Sequence, residues 1–437
     1  MAGMARLWIK RFGRISGLFG KGRLVAMVVG LLLAVLLWSG RVPGLSALVH
    51  EAETSRVDRV ATLVKPAPER DDLVFLGIDE ASLSLTELGE EEWQSSEVLP
   101  LFRKQWPWNR SVWAFVIDRL AEAGAKQIVI DLVLKGKSDD AEAEDLLVKT
   151  IAKHRSKVVL AAEWEPMPGE RGAARTIFAE PNEDYLGPLE DETPFGYVNF
   201  WPGKDGIIRD AIYRMSLRDA QMDNLERHPD EHVFESLSAA VGRKLGALPP
   251  DGPQRLRYVV RGRNLAGVKT REIAPIYPPI SLYKIFFEET WKGEFGEGKF
   301  FKDKVVLIGP AAPIFQDSHT TPAGMIFGGQ LHLQSASCLL SDSFLKNAPP
   351  HWNWIGLIGM ALAGGLLVQW VKNPILVFAL AALAVVAWLM GAIFIGNQTS
   401  VLMGASRECS DWHRWFSSGS PLNSFSSASS AIGFSAS

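Results

Sequence analysis

The chain has 437 residues, of which 46 are basic and 49 acidic, with a formal net charge of −3 and 47% hydrophobic residues. Setting aside Arg6, Lys10, Arg11, Arg14, Lys21 and Arg23 leaves 40 basic against 49 acidic residues, which excludes the electropositive footprint of a nucleic-acid binder. Two cysteines, Cys338 and Cys409, exclude a disulfide scaffold, so a folded domain here must be held by its own core.

Residues 1–23 form a basic tail with no acidic residue, and residues 24–40 follow as 17 uncharged positions between Arg23 and Arg41. That length is near the lower limit for a bilayer-spanning helix. The positive-inside rule keeps the tail in the cytoplasm and sends the chain from Arg41 onward across the membrane. A cleaved secretory signal has the same basic and apolar layout, but no small-x-small site closes this run, and later apolar runs anchor the chain.

Residues 41–348 read as one large extracytoplasmic segment of alternating strand and helix patterns, predicting an α/β or mixed α+β fold. Leu45 to Val64 has amphipathic helical spacing and stops at Pro66 and Pro68. Leu73 to Ile78 is a short apolar run closing on Asp79 and Glu80, as a buried strand with an acidic end does. After the acidic stretch Glu90–Glu92 and the Trp106-Pro107-Trp108 group, Asn109 is placed to cap a helix over Ser111 to Ala123. Its inner face is Val112, Phe115, Val116 and Leu120, and Gly124 ends it. Gln127 to Asp131 is a second strand ending in a carboxylate; a helix bearing Leu146, Leu147 and Ile151 leads to a third at Lys157 to Ala161. This order predicts parallel pairing.

Residues 169–194 are polar and read as a surface loop. Strands are expected at Phe195–Phe200, Ile207–Leu217 after a turn at Lys204–Gly206, Arg255–Val260 and Lys304–Ile308. Helices are expected at Phe234–Val241 and, after a Gly309 loop, Gln330–Leu340. A second apolar run covers Trp354 to Val371, with Trp352, Trp354 and Trp370 at its ends, where indoles favour the headgroup region. Lys372, Asn373 and Pro374 turn the chain into a third run, Ile375 to Ile395, which goes out again. Residues 396–437 are a Ser-rich tail in which a further span begins but is interrupted by Arg407 and Glu408, the pattern of a truncated or frame-altered span. Asn397-Gln398-Thr399 matches a glycosylation sequon, a pattern short enough to arise by chance.

Asp79, Glu80 and Asp131 fall at the C-terminal ends of predicted parallel strands, the edge where open α/β sheets gather ligands. With Asp317, His319 and His332 they offer carboxylates and imidazoles for a metal or an acid/base pair. The same aspartates serve equally as turn and helix-cap residues, and no compact metal motif spaces them. Trp106, Trp108 and Arg110 offer a ligand wall by stacking and cation–π contact, or a core plug at a helix entry. Asp205, Gly206 and Arg209 read as a turn entering a strand. Gly309 is no phosphate loop, since no GK[ST] follows and Pro310 and Pro313 remove donors.

DLVFLGIDEASL at 72–83, WPWNR at 106–110, LAEAGAKQIVIDL at 120–132, DGIIRD at 205–210, FKDKVVLIGPAAPIFQDSHTTPAG at 301–324 and GGQLHLQSASCLL at 328–340 together resemble the CHASE2 family, in order along the chain. The resemblance implies an extracytoplasmic sensory domain of bacterial signalling receptors, flanked by membrane spans and joined to a cytoplasmic output. It carries no cofactor. No kinase or cyclase motif occurs in this sequence, so the expected role is a non-catalytic sensor of an external small-molecule or protein signal. It would sit in the inner membrane as a homodimer and use an output domain or protein not found here. A membrane-anchored metal-dependent hydrolase built on the Asp/His set is the alternative.

Overall fold

The computed structural model describes residues 43–403, apart from 95, 169–173, 188–194, 221–230, 259–260, 266–267, 275 and 372. The first apolar run and the tail from 404 lie outside the described residues. Two compact units are present among the described residues: one runs from Pro66 to Phe344, and the other holds residues 43–65 and 345–403.

The first unit is built on a seven-stranded sheet. Its strands are β1 (Leu73–Ile78), β2 (Gln127–Ile130), β3 (Val158–Pro168), β4 (Ala174–Ala179), β5 (Phe195–Tyr197), β6 (Ile280–Ser281) and β7 (Val305–Pro310), in the order β6-β1-β7-β2-β3-β4, with β5 also on β3. β1, β2 and β7 are buried along their whole length, which is why they read as continuous apolar runs and not as alternating ones. Parallel pairing sets Phe75 beside Leu307 and Leu307 beside Val129.

Alternation along these strands divides the core. Val74, Leu76, Ile78, Ile128, Ile130, Val306 and Ile308 face α1 (Arg110–Glu122) and α2 (Ala141–Lys153). Phe75, Val129, Val159 and Leu307 face α3 (Leu237–Lys244) and α4 (Gly328–Leu340) on the other side. α4 sits close to the sheet because Gly329 has no Cβ; one there would stand 2.4 Å from the Phe75 ring.

The parallel pairing expected of β1, β2 and β3 is present, with the strand at 304–308 inserted between β1 and β2. Two expectations are corrected by tertiary contacts. The region read as a loop at 169–194 contains β4, antiparallel to an extension of β3, and a short helix Glu183–Leu186. Phe178 of β4 packs on Trp164, ring centroids 4.6 Å apart, and on Phe234, 4.0 Å, a cross-strand aromatic cluster invisible to a local pattern. The helix expected from Phe234 begins only at Leu237, because Phe234 lies in a short strand and Ser236 caps the helix, its hydroxyl accepting from the Ala239 amide at 3.1 Å.

The second unit contains a stem helix, Pro43–Leu63, the helices α5 (Pro350–Trp370) and α6 (Pro374–Thr399), and two short parallel strands, β8 (Lys346–Asn347) and β9 (Val401–Leu402). Asn373 caps α6, its Oδ1 accepting from Ile375 N at 2.9 Å. The helical part Ile375–Thr399 is long and apolar enough to cross a membrane, and Phe378, Met390 and Phe394 on it are exposed.

Candidate functional site

β2 and β7 are neighbours whose chains leave in opposite directions. The helix following β2 covers one face of the sheet, whereas the helix following β7 covers the other. Where adjacent parallel strands diverge in this way, a crevice opens at their C-terminal ends, and open α/β sheets place ligands there.

Asp131 stands at this point. Its amide donates to Ile308 O at 2.8 Å, and its carboxyl lies against Gly309, where a Cβ would come within 3.0 Å of Asp131 Oδ2. Asp131 is 8% exposed, and His332 Nε2, from α4, stands 3.9 Å from its Oδ1, outside hydrogen-bond reach. Among the described residues the Asp131 carboxyl makes no hydrogen bond. His332 is 4% exposed; its Nδ1 is 3.4 Å from Ser238 Oγ, and its ring lies 4.8 Å from that of Phe200. The Ser238 hydroxyl donates to His332 O at 3.0 Å.

The segment after β7 brings the remaining groups. Asp317 Oδ1 lies 3.0 Å from His319 Nε2, and both side chains are partly exposed. The Gly328 amide donates to Asp317 O at 3.1 Å, and a Cβ on Gly328 would fall 2.4 Å from Asp317 Oδ2, so this carboxylate is seated on the first residue of α4. That is a favourable place for an anion. His319 belongs to a hairpin, Ser318–Thr321 with Gly324–Phe327, fastened through Thr320 O, which accepts from Ile208 N at 2.8 Å.

Burial is the main cause of the two titration shifts in the cluster. It raises the Asp131 carboxyl well above its ordinary value, and the charge of Asp317 adds to the effect. Burial lowers His332 to about 3, against an opposing pull from Asp317. The site therefore presents a buried carboxyl whose titration is pushed up and a neutral buried imidazole, together with a partly exposed Asp317–His319 pair, a set of hydrogen-bonding groups suited to holding a ligand.

The other candidate residues lie elsewhere. Asp79 ends β1 but caps the short helix Glu80–Ser84, accepting from Ser82 N at 2.8 Å, Ser82 Oγ at 2.7 Å and Ser281 Oγ at 2.5 Å. Glu80 is exposed in the first turn of that helix. Trp108 is buried with its indole N–H donating to Phe102 O at 3.0 Å. Trp106 is half-buried against Trp108, Trp113 and Phe315. Arg110 is 2% exposed and pairs with Glu144 at 3.6 Å, with Nη2 donating to Lys135 O at 3.3 Å. Asp205 and Arg209 form an ion pair across the turn at 204–206. The structure thus joins Asp131, Asp317, His319 and His332, and leaves Asp79, Glu80, Trp106, Trp108 and Arg110 in other contacts.

Ser238, Phe200, Gly309 and Gly328 also shape the site. The glycine pair opening α4 was the available signal, because a helix starting on two glycines implies a close approach. The metal-dependent hydrolase is not supported: among the described residues no group of three or more His, Cys, Asp or Glu is placed to hold a metal ion.

The family model of the CHASE2 domain matches residues 28–367, most of the chain, and the protein belongs to that family. CHASE2 is an extracytoplasmic sensor domain family, sensory and not catalytic. No curated protein and no solved structure matches the chain.

Proposed function

We propose that this chain is the membrane-anchored sensor of a bacterial signalling receptor, and that its input site is the sheet edge formed by Asp131, Asp317, His319 and His332. The N-terminal tail lies in the cytoplasm, the Pro66–Phe344 unit outside the inner membrane, and α5 and α6 cross the bilayer as a hairpin. The pairing of β8 with β9 supports this layout, since it brings the two ends of that hairpin to one side. The receptor works as a homodimer that passes its signal to an output domain or protein.

The observation that carries the reading is the Asp131 carboxyl, little exposed at the switch point and, among the described residues, without a protein hydrogen-bond partner, beside His332. Its acceptor and donor capacity is open to a ligand group entering the crevice. Binding to the native state alone raises apparent stability. The test is a thermal-shift screen of the full chain in detergent against a library of small polar molecules. A saturable shift in the wild type, lost in Asp131→Ala and Asp317→Ala, is expected; a shift indifferent to both substitutions would place the input site elsewhere.

A further inference from the structure

The end of α6 meets the stem helix at two successive residues. Gly396 faces Val64: a Cβ on Gly396 would lie 2.5 Å from Val64 Cγ1, so only glycine permits this approach. Ala392, one turn earlier, is another small residue and is buried. Asn397 then accepts, through Oδ1, a hydrogen bond from the backbone amide of Lys65 at 2.5 Å, just beyond the last stem-helix bond, Val64 N to Val60 O.

The contact is reinforced from below. Ser400, at φ 59°, turns the chain out of α6 with its amide bonded to Gly396 O at 3.0 Å. The chain then runs as β9 alongside β8, with Lys346 N donating to Ser400 O at 2.8 Å and Ala348 N to Leu402 O at 2.9 Å. Arg56 of the stem donates to Met403 O at 3.3 Å. Val57, Val60, Val64, Leu345 and Leu402 close into a small buried core of their own.

The length of α6 places this assembly outside the bilayer. Its 26 residues extend about 39 Å at 1.5 Å per residue, roughly 9 Å beyond the roughly 30 Å hydrocarbon core, and the polar end Asn397-Gln398-Thr399 makes up about half of that surplus. The chain passes between the two units at Lys65/Pro66 and Phe344/Leu345, so both connections start from residues of this core or next to it.

We propose that Gly396 and Asn397 form a latch that fastens α6 to the stem helix, so that stem and membrane hairpin move as one body when the sensor responds. The signalling role of the latch rests on the sensor reading above, but its existence does not. Signal would then enter the membrane through α6 as well as through the N-terminal span.

The test uses the full chain in native membranes, without a ligand. An ideal Cβ on Gly396 lies 3.7 Å from Val64 Cβ, inside the span of about 3.5–4.5 Å that an unstrained disulfide requires. The Val64→Cys/Gly396→Cys variant is expected to yield the corresponding disulfide-linked peptide by mass spectrometry after mild oxidation, and neither single variant is. Independently, Asn397→Ala is expected to speed hydrogen exchange of the Lys65 amide about 3–10-fold, the worth of one hydrogen bond. Asn397→Asp, which keeps an acceptor, should restore protection, and exchange in β1 and β7 should not change in either variant. Unchanged Lys65 exchange in Asn397→Ala would overturn the latch, as would a folded double-cysteine variant that fails to cross-link. Failure of the ligand screen with an intact latch would sink only the input site.

Discussion

His332 and Asp131 face each other across 3.9 Å, Nε2 to Oδ1, and burial moves their titrations in opposite directions, the imidazole down to about 3 and the carboxyl up. The distance alone suits an ion pair. Burial decides otherwise, because it pushes the imidazole down to about 3, so at neutral pH His332 lacks the charge an ion pair needs, and the same burial pushes the carboxyl up.

The first consequence concerns acid. The folded-state pKa of His332 is depressed below its unfolded value of 6.5, so its contribution to stability is present above pH 6.5 and is lost as pH falls toward 3. The slope reaches about 1.4 kcal/mol per pH unit in that window. Urea midpoints of the wild type should drop between pH 6.5 and 4.5, and His332→Gln should remove much of that drop. Parallel pH profiles for the two proteins would show that His332 is not the titrating group.

Asp131 titrates with the opposite sign. Its folded-state pKa is raised above 3.8, so its contribution is complete below pH 3.8 and is lost as pH rises through the folded value. Asp131→Asn keeps the shape and cannot ionise. Relative to the wild type it should gain stability as pH rises above 3.8 and on through pH 8. Thermal midpoints of the pair across this range check the sign; a gap that narrows with rising pH would contradict it.

Much of this was legible in the chain and some was not. β1, β2 and β7 announce themselves as apolar runs because their burial on both faces leaves no polar position, and Asn109 and Gly124 bracket α1 by simple capping chemistry. The insertion of β7 between β1 and β2 is a long-range choice that no local pattern encodes, yet it alone brings Gly309 beside Asp131 and α4 over the sheet. Asp131, Asp317, His319 and His332 could therefore be named as candidates, while which of them stand face to face could not. The tryptophans were ambiguous for a related reason: whether Trp108 lines a wall or plugs the core depends on Phe102 O being in reach of its N–H.

The seat of Asp317 on α4 makes Gly328 sensitive to a single methyl. A Cβ there meets both carboxylate oxygens, at 2.4 and 2.5 Å, so Gly328→Ala must displace the side chain. We expect a loss of about 1–3 kcal/mol, as for other overpacked sites. In an Asp317→Ala background the colliding atoms are gone, and the same substitution should cost less than half as much. Chemical denaturation of the four proteins in the cycle measures the coupling, and additive losses would mean that the clash is relieved elsewhere.

Arg110 separates a structural residue from a binding one. It lies inside the unit, paired with Glu144, whose carboxylate also accepts from Asn182 Nδ2 at 3.1 Å and Ser138 N at 3.0 Å. Arg110→Met removes the cation and leaves that carboxylate buried, a change that typically costs about 3–5 kcal/mol. Adding Glu144→Gln should recover part of the loss, because the amide needs no countercharge. Any ligand found through the Asp131 site should still bind the stabilised double variant with its affinity within about threefold of the wild type, a difference of less than 1 kcal/mol. A stable Arg110→Met protein that no longer binds would instead move the input site to the wall of Trp106, Trp108 and Arg110.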